Sequence, residues 1–197
     1  MENRFPEIAA LHTRTTLEAL AALVPGADAR VRSRLGPEVR QALEAATRLD
    51  YLPALVDLEV ATAIHAELGA ERLRRVARES LRRGLTGSLL GALAQSAIAL
   101  FGRTPPGLLR FGARAYARVC RDCGELKVAA TSDGLVELAL TDFPDGLQVP
   151  LYLEAMAGAF EALLDVCEVD GRARVEPRRA GARFFLEWRA RPGAAGR

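Results

Sequence analysis

Apolar positions along the first 121 residues recur at the three-to-four spacing of amphipathic helices. The first helical segment is predicted from about Glu7 to Leu23, and the pair Pro25-Gly26 breaks it. A second starts at Pro37, where a missing N–H costs nothing in the first turn. A third begins near Pro53 and stops at Gly69. In "AERLRRVARESLRRG", Leu73, Val76, Ala77 and Leu81 share a face, with arginines and glutamates around it. Leu85 to Gly102 is free of charge and is predicted to be a buried central helix. Gly87 and Gly91 would let another element approach its backbone. Pro105-Pro106 opens one more helix.

The period then changes to two. Leu126, Val128 and Ala130 alternate with Glu125, Lys127 and Ala129, and Val136, Leu138 and Leu140 repeat the pattern. Asp133-Gly134 between the two runs is a hairpin turn. After the loop "DFPDGLQVP", a helix is predicted from about Leu147 to Leu164. Tyr152, Met156, Ala159, Phe160 and Leu163 fall on one face of it, and Glu154, Glu161 and Asp165 on the other. A second hairpin follows, "GRARVEP" and "ARFFLEWRA" joined at "RRAG", with Phe184, Leu186 and Trp188 on one side. The expected fold class is α+β in a single domain over 1–197. A helical part covers 1–121, a ββ-α-ββ unit with a four-stranded antiparallel sheet covers 122–190, and 191–197 is a frayed tail.

Composition narrows the function classes. Half the residues are hydrophobic, enough for a substantial core and against disorder. A net charge of +2 does not predict nucleic-acid binding. Of the 27 basic residues only Lys127 is lysine. Arginine clusters at 71–83 and 172–197, and both clusters read as solvated faces. The N-terminus mixes charges into its apolar residues, unlike a secretory leader. Thr86, Ser88, Gln95 and Ser96 argue against a membrane span at 85–102. Three cysteines make no disulfide framework, so a reducing, cytoplasmic setting is expected.

Local chemistry is sparse. His12 and His65 stand apart and belong to no metal motif. Cys120 and Cys123 form a CxxC at a helix end, with no second pair to complete a zinc site. Cys167 reads as core. No phosphate-binding glycine loop, nucleophile elbow or paired-carboxylate signature occurs. No catalytic residue, metal ligand or cofactor site is therefore assigned, and the chain is read as a non-enzyme.

Six blocks carry a family resemblance: "RLGPEVR" (34–40), "FGRTPPGLLR" (101–110), "GELKV" (124–128), "LTDFPDGL" (140–147), the helix Tyr152–Leu164 and "GARFFLEW" (181–188). With them the chain resembles the ligand-binding fold of haem-NO-binding (H-NOX) domains, V4R domains and the Bet3-type subunits of the TRAPP trafficking complex. More narrowly, it is similar to a paralogous family of uncharacterised myxobacterial proteins. The resemblance implies a helical subdomain on a four-stranded sheet, an apolar cavity between them, and a bacterial signalling role. Two H-NOX features are missing. H-NOX domains carry a helical proximal His ahead of the first hairpin and a Tyr-x-Ser-x-Arg motif for haem propionates. This chain has no His after His65 and no such motif. V4R domains often carry Cys around the last hairpin, and that region here has none.

Two readings follow. The first is a non-catalytic small-molecule-binding or sensory module. Tyr152, Met156 and Phe160 are its candidate pocket residues, and an apolar small molecule or a lipid is its partner. The second is a homodimeric scaffold or adaptor that meets a protein partner through an apolar surface, with no ligand. Pocket, core and interface draw on the same residue types, so the helix 147–164 fits each.

Overall fold

The structure, a computed structural model, describes residues 5–87 and 90–190. The expected tail 191–197 lies outside the described residues. The α+β class and the ββ-α-ββ order are as the sequence predicts.

The four-stranded antiparallel sheet consists of β4 (Glu125–Ser132), β5 (Leu135–Thr141), β6 (Val169–Arg178) and β7 (Gly181–Ala190), in the order β4-β5-β7-β6. The first hairpin turns at Asp133-Gly134, where Gly134 takes the left-handed φ of 71° that a tight turn demands. The second turns at Arg179-Ala180, pairing Arg178 with Gly181. Central pairing of β5 with β7 sets Leu138 opposite Phe184 and Val136 opposite Leu186. All four are fully buried. Ala130 departs from the expected alternation. A register shift between Val128 and Ala130 leaves Ala129 out of the ladder, and Ala130 becomes exposed.

The helix α8 (Pro150–Val166) packs on the buried face of this sheet, and Phe160 meets the Phe184 ring edge-on at 4.9 Å. The other face of α8 is only partly solvated. It lies against α5 (Ala70–Thr86), whose arginines reach it. Arg74 donates to Glu154, to Glu161 at 2.7 Å and to the Ala173 carbonyl. Arg78 forks onto Asp165. The first arginine cluster is therefore not simply a solvated face: Arg74 is 7% exposed and forms part of a helix–helix seam. Over its described residues, 172–190, the second cluster behaves as expected, with exposed pairs such as Arg174 and Arg178 on Glu176.

A small second sheet was not visible in the sequence. Its strands β1 (Glu7–Ala9), β2 (Tyr51–Pro53) and β3 (Cys120–Arg121) run β2-β1-β3. Two or three residues are too few to show a period of two. The predicted helix from Glu7 therefore begins as a strand and becomes α1 (Ala10–Leu23). β1 leads into α1, β2 leads into α4 (Ala54–Leu68), and β3 ends α7 (Pro105–Val119). One mini-sheet thus ties together the ends of three helices. The short helices α2 (Ala27–Arg34) and α3 (Pro37–Ala45) bridge α1 to β2.

The charge-free segment is not a buried central helix. α5 ends at Thr86, short of the segment's end, and the separate α6 (Gly91–Phe101) buries only Gly91, Ala94 and Ala97, while Leu100 and Phe101 stand exposed. Gly91 meets the Leu85 carbonyl at the end of α5 rather than a more distant element. Among the described residues no single helix is long and apolar enough to cross a membrane.

Candidate functional site

Between α1, α4, α5, α7 and α8 lies a cavity of about 130 Å³. The spacing of α8 places Tyr152, Met156 and Phe160 one turn apart on one side, and all three line this cavity. Ala159 and Leu163 share that wall. Phe111 and Ala115 from α7, and Leu81 and Leu85 from α5, supply further apolar lining.

The polar groups include a buried carboxylate. Asp57, on α4, is 7% exposed. Its Oδ1 accepts a hydrogen bond from Thr13 Oγ1 of α1 at 2.7 Å, and its Oδ2 accepts one from the Tyr152 hydroxyl at 2.8 Å. Three helices distant in sequence thus converge on one carboxylate. Burial, and after it the negative charge of Asp57, push the Tyr152 phenol well above its ordinary range, so Tyr152 is a neutral donor. Among the described residues no Lys or Arg lines the cavity.

The CxxC lies in the same wall. Cys120 and Cys123 both line the cavity, and Tyr116 donates its hydroxyl to the Cys123 carbonyl at 2.7 Å. A side-chain hydrogen bond from Cys120 lowers the Cys123 thiol, and the same bond, with burial, raises Cys120 well above the usual thiol range. Burial likewise pushes the Tyr116 phenol up. Cys167 packs apart from this group with Ala97 and Leu108. His12 is the only histidine in the wall; His65 lies on α4 outside it. Among the described residues no group of three or more His, Cys, Asp or Glu is placed to hold a metal ion.

Sequence reasoning missed Thr13 and Asp57. The signal for Asp57 was present: it is flanked by Val56, Val60, Ala61 and Ile64, which bury most of its helix. An acid inside such a stretch needs a partner or a function.

No family model matches the chain, and comparison with curated proteins finds no match. Solved structures do match. The fold is that of H-NOX domains. An Fe(II) unliganded H-NOX protein from K. algicida aligns over 94% of this chain and 98% of its own, with a TM-score of 0.65 and 8% identity. An H-NOX from T. tengcongensis aligns over 92% and 98%, with a TM-score of 0.63 and 13% identity. An oxygen-binding H-NOX domain related to soluble guanylate cyclases aligns over 92% and 95%, with a TM-score of 0.61 and 12% identity. At such identities the likeness is one of fold.

Proposed function

We propose that this chain is a non-catalytic, small-molecule-binding sensory module on an H-NOX-like fold, and that its ligand occupies the cavity bounded by Tyr152, Met156 and Phe160. The observation that carries this reading is the cavity itself. It is apolar over most of its wall, with a few polar side chains from distant helices gathered in it, the usual make-up of a ligand site. The neighbours support the same class: one is described as binding oxygen, another by heme distortion in the H-NOX family.

The residues present do not fit haem held in the H-NOX manner. α7 is the helix ahead of the first hairpin, and its cavity-facing residues are Phe111, Gly112, Ala115, Tyr116 and Val119, with no imidazole among them. Among the described residues the lining has no Lys or Arg for propionates, and it holds the buried carboxylate of Asp57. The pocket reading therefore departs from haem and keeps the sensory class. The narrower kinship with V4R, Bet3-type and myxobacterial proteins rests on the sequence blocks alone.

The test is mass and probe binding. Native and denaturing masses of the purified protein report any non-covalent passenger and the oligomeric state together. Titration with the neutral fluorophore N-phenylnaphthylamine should saturate at one probe per chain, and Ala159→Trp, which fills the cavity, should abolish it. A protein with no passenger and no probe binding overturns the reading. A clean dimeric mass with neither would favour the scaffold.

A further inference from the structure

We propose that the ligand of this cavity is an apolar molecule carrying a protonated amine, seated with its cation on Asp57. This rests on the reading of the cavity as a ligand site and names the class of molecule it takes.

Asp57 faces the cavity yet is almost wholly removed from solvent. Buried carboxylates are ordinarily paired with a cation, because desolvation of an unpaired charge is costly. Among the described residues Asp57 has no such partner. Its two donors, Thr13 and Tyr152, are neutral hydroxyls. Three arginines of neighbouring elements are committed elsewhere. Arg14, next to Thr13, donates to the carbonyls of Leu43 and Ala46. Arg74 serves Glu154 and Glu161. Arg121, next to Cys120, lies over the Tyr51 ring at 3.4 Å.

The hydrogen-bond count agrees. A carboxylate has about four acceptor positions, and the two hydroxyls occupy one on each oxygen. Positions remain for an ammonium N–H. The two hydroxyls hold the carboxylate in place for that contact. The apolar lining suits a hydrocarbon or aromatic body attached to the amine. An anionic ligand would meet a like charge with no Lys or Arg among the described residues of the wall to offset it.

Three naphthyl probes of matched size test this by displacing N-phenylnaphthylamine at about pH 7: naphthylmethylamine, naphthylmethanol and naphthoate. The amine should bind at least about tenfold tighter than the alcohol, the difference between a charge-assisted and a neutral hydrogen bond. The carboxylate should bind weakest. Asp57→Asn should erase the preference for the amine and leave the alcohol within a few fold. Should that variant not fold, the ranking on the unaltered protein decides alone. Equal binding of amine and alcohol, tighter binding of naphthoate, or an amine preference that survives Asp57→Asn overturns the proposal and leaves the cavity reading standing. Failure of N-phenylnaphthylamine itself to bind overturns both.

Discussion

Gly158 of α8 lies against Arg74 of α5 so closely that a Cβ added to the glycine would come within 2.5 Å of the Arg74 carbonyl oxygen and 2.6 Å of its Cγ. This is the point where the two helices cross, and the approach brings the Arg74 guanidinium to Glu161. The small residue and the buried ion pair therefore belong to one design. α8 then carries three jobs on one helix: cavity wall, sheet cover and ion-pair seam.

Gly158→Ala should destabilise the protein. Alanine favours a helix interior by about 1 kcal/mol over glycine. Forcing a methyl group into backbone contact costs typically ~1–3 kcal/mol, and here the obstacle is a carbonyl that cannot rotate away. The clash should win. Urea unfolding should show a lower midpoint at unchanged slope, and a neutral or stabilising result would disprove so tight a crossing.

Arg74→Met should destabilise by up to about 3 kcal/mol, since it removes the closest cation of buried Glu161 and leaves only Arg78, at 3.4 Å, beside it. Arg74→Met with Glu161→Met should recover part of that loss and not all of it. β6 is an edge strand, and its Ala173 N–H donates to Glu161 while its carbonyl accepts from Arg74. Those backbone groups lose their partners in the double variant, a penalty of roughly 1–3 kcal/mol. A double-mutant cycle followed by chemical denaturation separates the two effects.

Stability should fall on the alkaline side. Burial holds the folded Cys167 thiol at about 12, above its ordinary 9.0. The unfolded chain therefore releases that proton first. The contribution is intact below about pH 9 and is lost as pH rises toward 12. Tyr116 and Tyr152, both raised, act in the same direction from their ordinary 10.0 upward. Thermal melts between about pH 8 and 11 should show a steady decline, and Cys167→Ala should delay its onset. A flat profile through that window would contradict the burial of these groups.

The two cavity cysteines should titrate as a pair. Because Cys120 lowers its neighbour, Cys120→Ala should move the first thiolate step of Cys123 to higher pH. Thiolate absorbance in the far ultraviolet, with Cys167→Ala as background, follows this directly. An unmoved first step would show that the thiols do not interact.

The larger elements were legible because their patterns repeat. Proline starts at Pro37 and Pro105, the Asp133-Gly134 turn and the alternation around Phe184 each state a local preference that the fold keeps. The order of hairpin, helix and hairpin then leaves few ways to cover a four-stranded sheet. Where the pattern is shorter than a period, as in β1, β2 and β3, the sequence carries no signal. Where it is apolar all round, as in 85–102, it does not distinguish a central helix from the peripheral α6, whose Leu100 and Phe101 are exposed.

Tyr152, Met156 and Phe160 share a face because helical spacing alone puts them there. That their face opens on a cavity was decided by α1, α4, α5 and α7 closing around it. The same holds for Asp57. Its position in an apolar helix made it conspicuous, but its partners Thr13 and Tyr152 lie 44 and 95 residues away. Local sequence sets which way a side chain leaves its own backbone. Contacts across such separations depend on how whole helices pack, and packing is a property of the assembled chain.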